Sequence, residues 1–176
     1  MSVQPERLLP AEEFLAIEGD TPAKHEFCRG EMFAMDGASR EHNLITSNIA
    51  ASLHAQLITR PCESYANDMR VKVAQTGLYA YPDIVVTCEK PRFEDDKFDT
   101  LLNPQVVAEV LSDSTEKYDR GKKFEHYRQI DSLVAYLLIS QDRAHVELFT
   151  RDAGGVWGLR EASGLDRAPD QGQPRG

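Results

Sequence analysis

Glu109 is the residue most in need of an explanation. It lies inside Val106-Val107-Ala108-Glu109-Val110-Leu111, an apolar run that reads as a covered strand. A carboxylate there is costly unless it is paired, protonated or metal-bound. Two explanations are open: a structural ion pair with an Arg or Lys across the sheet, or a functional acid. A second acid, Asp83, follows Pro82 at the head of another apolar run, Ile84-Val85-Val86. Alone, it reads equally well as a strand-start residue bonding the local backbone. Beside Glu109 it gains weight, because two carboxylates on neighbouring strands can hold Mg2+ or Mn2+, which take a few oxygen ligands plus water.

A third group follows Glu109. Asp119, Lys123 and Tyr127 are spaced by four residues, so they line one face of a helix. Lys122 points about a quarter-turn away. The plain reading is a solvated face with an Asp–Lys pair. The functional reading sets Lys123 against the metal site, to orient the attacking water or neutralise charge on a cleaved phosphodiester.

These residues need elements to hold them. Residues 10–19 read as a short helix, with Pro10 at its start and Phe14, Leu15 and Ile17 on its buried side. HEFCRGEMFAM reads as a hairpin turning at Arg29-Gly30. Residues 39–58 form the clearest helix. Ser39 is its N-cap, and Leu44, Ile45, Ile49, Leu53, Leu57 and Ile58 recur at helical spacing. Residues 62–87 read as strands, 89–103 as a charged irregular surface loop, and 106–111 as a central strand. A helix is expected over 115–130, capped by Ser114, then strands at 136–140, 146–149 and 156–159. This order predicts an α/β (α+β) fold with a central mixed sheet flanked by helices.

The chain has 176 residues, 41% hydrophobic and 28% charged, which fits one globular domain, here drawn as residues 1–163. The polar Gly- and Pro-bearing stretch 164–176 reads as a poorly ordered tail. A net charge of −9 argues against a broad basic face for duplex DNA, though a local basic strip or a dimer groove could serve. Cys28, Cys62 and Cys88 are odd in number and widely spaced, so the expectation is three small core residues in a reducing compartment, without a disulfide or zinc knuckle. The chain begins without a long apolar run and no stretch reaches membrane-span length, so a soluble, cytoplasmic protein is expected. Scattered histidines, no Gly-x-Ser-x-Gly elbow and no phosphate-cradling glycine loop leave little support for serine- or zinc-hydrolase readings.

The segment PDIVVTC…PQVVAEVLSDSTEKYDRGKKFEHYRQIDSLVAYLLIS resembles the Uma-two family of restriction-endonuclease-like proteins, within the PD-(D/E)XK nuclease superfamily. The likeness extends back through HEFCRGEM and SREHN, covering roughly residues 10–150. Its specificity lies in the combination: Pro-Asp heading a strand, E-V-L-S-x-S-T, then D-x-x-x-K-x-x-x-Y. The resemblance implies a restriction-endonuclease-like core. It makes Asp83 and Glu109 the metal-binding acids and Lys123 the lysine assisting the water. The superfamily lysine falls two residues after the second acid, where this chain has Leu111; Lys123 is then a lysine migrated to the following helix. An early superfamily acid corresponds to Glu26 or Glu31, and the sequence does not choose between them. Glu41-His42 also fits the family pattern, with His42 as a positioning or hydrogen-bonding residue. The family's further apolar C-terminal segments are not matched, since the chain turns polar after Ala162.

Together these readings predict a Mg2+- or Mn2+-dependent endonuclease acting on DNA, with Asp119 or Tyr127 holding Lys123. A homodimer is expected, since cutting two strands needs two sites. The rival is a nuclease fold kept as a non-cleaving binding or regulatory protein, which the acidic balance favours.

Overall fold

The computed structural model describes residues 8–164. Its first helix, α1 (Ala11–Asp20), lays Phe14 on Phe27 and Tyr79, with ring centroids 4.7 and 5.7 Å apart. Leu15 packs beside them and Glu18 binds His25, but Ile17 is exposed. The expected hairpin joins β1 (His25–Cys28) to β2 (Glu31–Ala34). Arg29 and Gly30 both take positive φ, 51° and 93°, as a two-residue hairpin turn of matching twist requires. A Cβ on Gly30 would also fall 2.6 Å from the Leu8 Cβ.

Helix α2 (Arg40–Leu57) starts at Ser39, whose Oγ accepts from the His42 N–H at 3.0 Å. Ile45, Ile49 and Leu53 pack on Ile84, Ala108, Val110 and Ile139. Leu44 and Ile58 stay exposed, so the buried stripe is narrower than the apolar spacing implied.

The strands form two mixed sheets, where one was expected. The remaining strands are β3 (Glu63–Ala66), β4 (Arg70–Val73), β5 (Leu78–Ala80), β6 (Ile84–Thr87), β7 (Thr100–Leu101), β8 (Val106–Val110), β9 (Ala135–Ile139), β10 (His145–Arg151) and β11 (Trp157–Ser163). One sheet runs β2-β1-β5-β4-β7 and the other β11-β10-β9-β8-β6-β3. The division falls at Tyr81-Pro82-Asp83, between β5 and β6. Pro82 has no N–H to donate to a ladder, so one strand cannot run on through it. Val71, Val73, Leu78, Val85, Leu101, Val107, Tyr136 and Leu138 belong to one core that spans both sheets.

Three further expectations change. The 89–103 stretch is anchored rather than a free surface loop: β7 pairs in parallel with β4, Phe93 bridges Leu101, and buried Arg70 binds Thr100 Oγ1 and Asp99 Oδ1 at 2.9 and 2.8 Å. Apolar Phe93 and Leu101, hidden among charges in sequence, supply the anchor. The helix after Glu109 is split into α3 (Glu116–Tyr118), a π-helical turn (Asp119–Lys123) and α4 (Phe124–Tyr127). Thr115, not Ser114, is its N-cap residue and makes no side-chain cap bond; Ser112 Oγ instead accepts from the Thr115 N–H. Cys62 and Cys88 form a disulfide, which overturns the expectation of three reduced cysteines. The β3–β6 ladder pairs Glu63 with Thr87, which sets Cys62 opposite Cys88 at a Cα separation of 3.9 Å. Cys28 remains a thiol.

The C-terminal strand is longer than expected, with β11 paired to β10 through Ser163. The tail assigned to 164–176 lies, beyond Gly164, outside the described residues.

Candidate metal centre

The crossover between the sheets delivers Asp83 to the head of β6. Since Ile84 pairs with Ala108 in the antiparallel β6–β8 ladder, Asp83 falls opposite Glu109. The Asp83 N–H points at Glu109 Oε2 from 3.4 Å, and Asp83 Oδ2 accepts from the Val110 N–H at 2.7 Å. The two acids are thus fixed relative to each other by backbone as well as by register. His42, from the first turn of α2, places Nε2 3.2 Å from Asp83 Oδ2. That hydrogen bond outweighs burial and raises the His42 imidazole above its usual range.

Lys123 comes in from the helical side. Its Nζ lies 2.8 Å from Glu26 Oε1, 2.9 Å from Glu109 Oε1 and 3.5 Å from Asp119 Oδ1. Tyr127 donates its hydroxyl to Glu109 Oε1 at 3.3 Å. The spacing by four residues therefore does bring Asp119, Lys123 and Tyr127 to one place, although the chain between the first two is a π-turn. Tyr136, which sequence reasoning passed over, donates its hydroxyl to the Asp119 carbonyl at 3.0 Å. A π-turn lengthens the helical hydrogen-bond spacing and is found where a helix is shaped for a site; here Tyr136 bonds a carbonyl of that turn. The only prior sign of Tyr136 was an aromatic in an apolar strand.

Of the two early acids, Glu26 joins the cluster and Glu31 does not. Glu26 is buried on β1, whereas Glu31 stands exposed beside the hairpin turn, opposite Cys28. Alternation held the clue: His25 and Phe27 turn toward α1, so Glu26 must turn the other way.

The electrostatics are lopsided. Glu26, Asp83, Glu109 and Asp119 converge around Lys123 and His42, with side chains from 4% to 17% exposed. Burial pushes the Glu109 carboxyl well above the usual carboxylate range, Lys123 pulls it down, and Asp119 and Asp83 push it up again. Burial likewise raises Asp119, against Lys123 and a hydrogen bond from Thr115. Burial also works against the Lys123 ammonium, but Glu109, Tyr127, Glu26 and Asp119 outweigh it and hold the proton firmly. Four acids gather around one ammonium and one imidazole in a desolvated place, so ionising all of them would leave an excess of negative charge there. The all-oxygen pair Asp83 and Glu109 fits a hard divalent cation, whose charge would offset that excess.

A second group, His145, Glu147 and Glu161, has candidate ligand atoms within 4.8 Å of one another. Glu109 and Glu147 both pair with Leu138, and Glu147 pairs with Glu161, so this group lies two strands away, about 10 Å from Glu109. Arg120 already bridges Glu116 and Glu147, which leaves less uncompensated charge there.

The molecule is a mixed α+β fold in which acids from four segments meet at a sheet crossover. The chain belongs to the Uma2 family, whose model is described as "Putative restriction endonuclease" and matches residues 11–174. Two relatives from Synechocystis sp. are the uncharacterized proteins sll1609 and slr1290. The first is 37% identical over 93% of this chain and 93% of its own length; the second is 34% identical over 90% and 83%. A solved chain from Anabaena variabilis, described as "a putative nuclease belonging to DUF820", shares the fold. Its TM-score is 0.68 at 16% identity, over 88% of this chain and 84% of that one. Among the described residues no helix is long and apolar enough to cross a membrane.

Proposed function

We propose that the protein is a metal-dependent endonuclease that hydrolyses DNA phosphodiester bonds, with Asp83 and Glu109 as ligands of Mg2+ or Mn2+. The observation that carries this is the placement of Glu109. Its carboxylate is buried at 4% exposure, faces Asp83 across a register pair, and sits among more acids than Lys123 can neutralise. A purely structural ion pair needs one partner for one acid, not this excess.

When bound, a divalent ion supplies a water of lowered pKa and stabilises charge on the phosphoryl oxygens. The chain's own residues do the rest. Asp83 is held by the Val110 N–H and His42, so His42 is a positioning residue. Glu109 is oriented by Tyr127. Lys123, kept protonated by Glu109, Glu26 and Asp119, is the donor able to orient an attacking water and face developing negative charge. Glu26 helps fix Lys123. We assign the protein as a homodimer, the commonest closed symmetric assembly.

The test is cleavage of supercoiled and single-stranded DNA with Mn2+ or Mg2+. Wild type should cut, while Asp83→Ala and Glu109→Ala should not, with both variants folded by circular dichroism. Metal-dependent cleavage persisting in both would sink the assignment. Metal binding without cleavage by wild type would move the weight to a non-cleaving binding protein on the same fold.

A further inference from the structure

The β1–β2 hairpin carries a face that the metal centre leaves open. Glu26 pairs with Phe33 in the ladder, and the Met35 N–H donates to the Lys24 carbonyl at 2.9 Å, which sets Met35 opposite Lys24. Residues directly opposite in an antiparallel pair project to the same side. Lys24, Glu26, Phe33 and Met35 therefore share one face of the hairpin. Glu26 on that face reaches Lys123 at 2.8 Å, so Phe33 stands at the rim of the cluster, with its Cβ about 5 Å from that of Glu26.

Phe33 is 51% exposed and Met35 38% exposed. The aromatic packing of β1 lies on its opposite face, where Phe27 meets Phe14 and Tyr79. An exposed aromatic beside a polar cluster, on an edge strand, exposes apolar surface that packing does not explain. The charge balance says what could cover it. A chain of net charge −9 is poorly suited to hold a duplex through many phosphate contacts. Stacking a base on an aromatic ring needs no charge and works only where the base is unpaired.

We propose that Phe33, flanked by Met35, is the stacking platform for an unpaired nucleobase next to the scissile phosphodiester, which makes single-stranded or locally unpaired nucleic acid the substrate class. This rests on the nuclease reading of Asp83 and Glu109. Lys24 lies on the same face, but its ammonium is held by the Asn67 carbonyl at 3.1 Å and paired with Asp68, so the aromatic ring and not this cation carries the contact.

The experiment is fluorescence anisotropy with a labelled oligothymidylate, the same strand carrying abasic sites, and a duplex of equal length. The protein is the full chain with Glu109→Gln, so that binding is read without cleavage. Adding Phe33→Ala should weaken single-strand binding roughly tenfold. Phe33→Leu should weaken it similarly, because it keeps the apolar surface but loses the ring. Phe33→Trp should keep the affinity and change its indole emission on binding, and the abasic strand should bind more weakly than the intact one. Unchanged affinity in Phe33→Ala, or equal binding of the abasic strand, overturns the platform. So does a change confined to self-association, which would make a second copy of the chain the occupant. If no oligonucleotide binds even with Phe33 intact, the platform and the nucleic-acid substrate both fall. The metal centre is then still judged separately, by Mn2+ binding.

Discussion

Glu109 and Lys123 are tied to each other, and their substitutions should behave oppositely. Burial holds the Glu109 carboxyl above its usual range, so ionising it costs the metal-free fold. Without metal, Glu109→Gln should leave the melting temperature unchanged or raise it. Lys123→Met should lower stability by about 3–5 kcal/mol, because Glu109, Glu26 and Asp119 lose the cation they share. Thermal melts of both variants check this; a large loss in Glu109→Gln would mark a structural ion pair instead. The pH dependence has a definite sign. A carboxyl whose folded pKa is raised stabilises the fold below its unfolded value and loses that contribution as pH rises through the folded value. Divalent metal needs the ionised form. Apparent Mn2+ affinity should therefore climb as pH passes through the raised Glu109 range and then level off, which calorimetry at several pH values reads directly. Glu109 was legible from sequence because an acid inside an apolar strand has few innocent explanations. Glu26 was not singled out, because two acids flank one hairpin and only the direction of β1's alternation separates them.

At the scale of elements, periodicity located most strands and helices but neither β7 nor the joins. Asp119 and Lys123 were legible as neighbours, yet nothing in DRGKK marks a π-turn; the Tyr136 hydroxyl on the Asp119 carbonyl is a contact between distant segments. Tyr136→Phe should therefore cost about 1 kcal/mol and lower cleavage more than melting temperature. A loss in stability alone, with cleavage intact, would show that the π-turn tolerates a missing partner. The division into two sheets was written in Pro82, whose absent N–H was visible but whose position between sheets was not. The disulfide was hidden for a related reason: 26 residues separate Cys62 from Cys88 in sequence, and only the β3–β6 register brings them together. It closes the loop that carries Asp83, whose carboxylate is held separately by the Val110 N–H and His42; reduction, or Cys62→Ser with Cys88→Ser, should cost up to about 3–4 kcal/mol by chain entropy. Metal-dependent activity at moderate temperature should survive, as assays with and without reductant would show.

Over the whole molecule, the acidic balance sets how substrate can be held. A net charge of −9 leaves few cations for phosphates, so the dependence of DNA affinity on salt should be shallow, with a log–log slope of roughly −1 to −2 rather than the steep slope of a basic-groove protein. Anisotropy titrations across ionic strength measure it, and a steep slope would reveal a basic surface assembled between subunits. Light scattering decides the homodimer directly. The fold class was readable because helical and strand periods are distinct along the chain, whereas the balance of charges around the crossover needed three dimensions: Glu26, Asp83, Glu109 and Asp119 come from four separate segments.

The most direct test of the metal centre is calorimetric titration of Mn2+ into wild type, Asp83→Asn and Glu109→Gln, each checked for folding by circular dichroism. Wild type should bind, and each variant should lose most of that affinity while remaining folded. Folded variants that bind Mn2+ as tightly as wild type would contradict the assignment of Asp83 and Glu109 as its ligands.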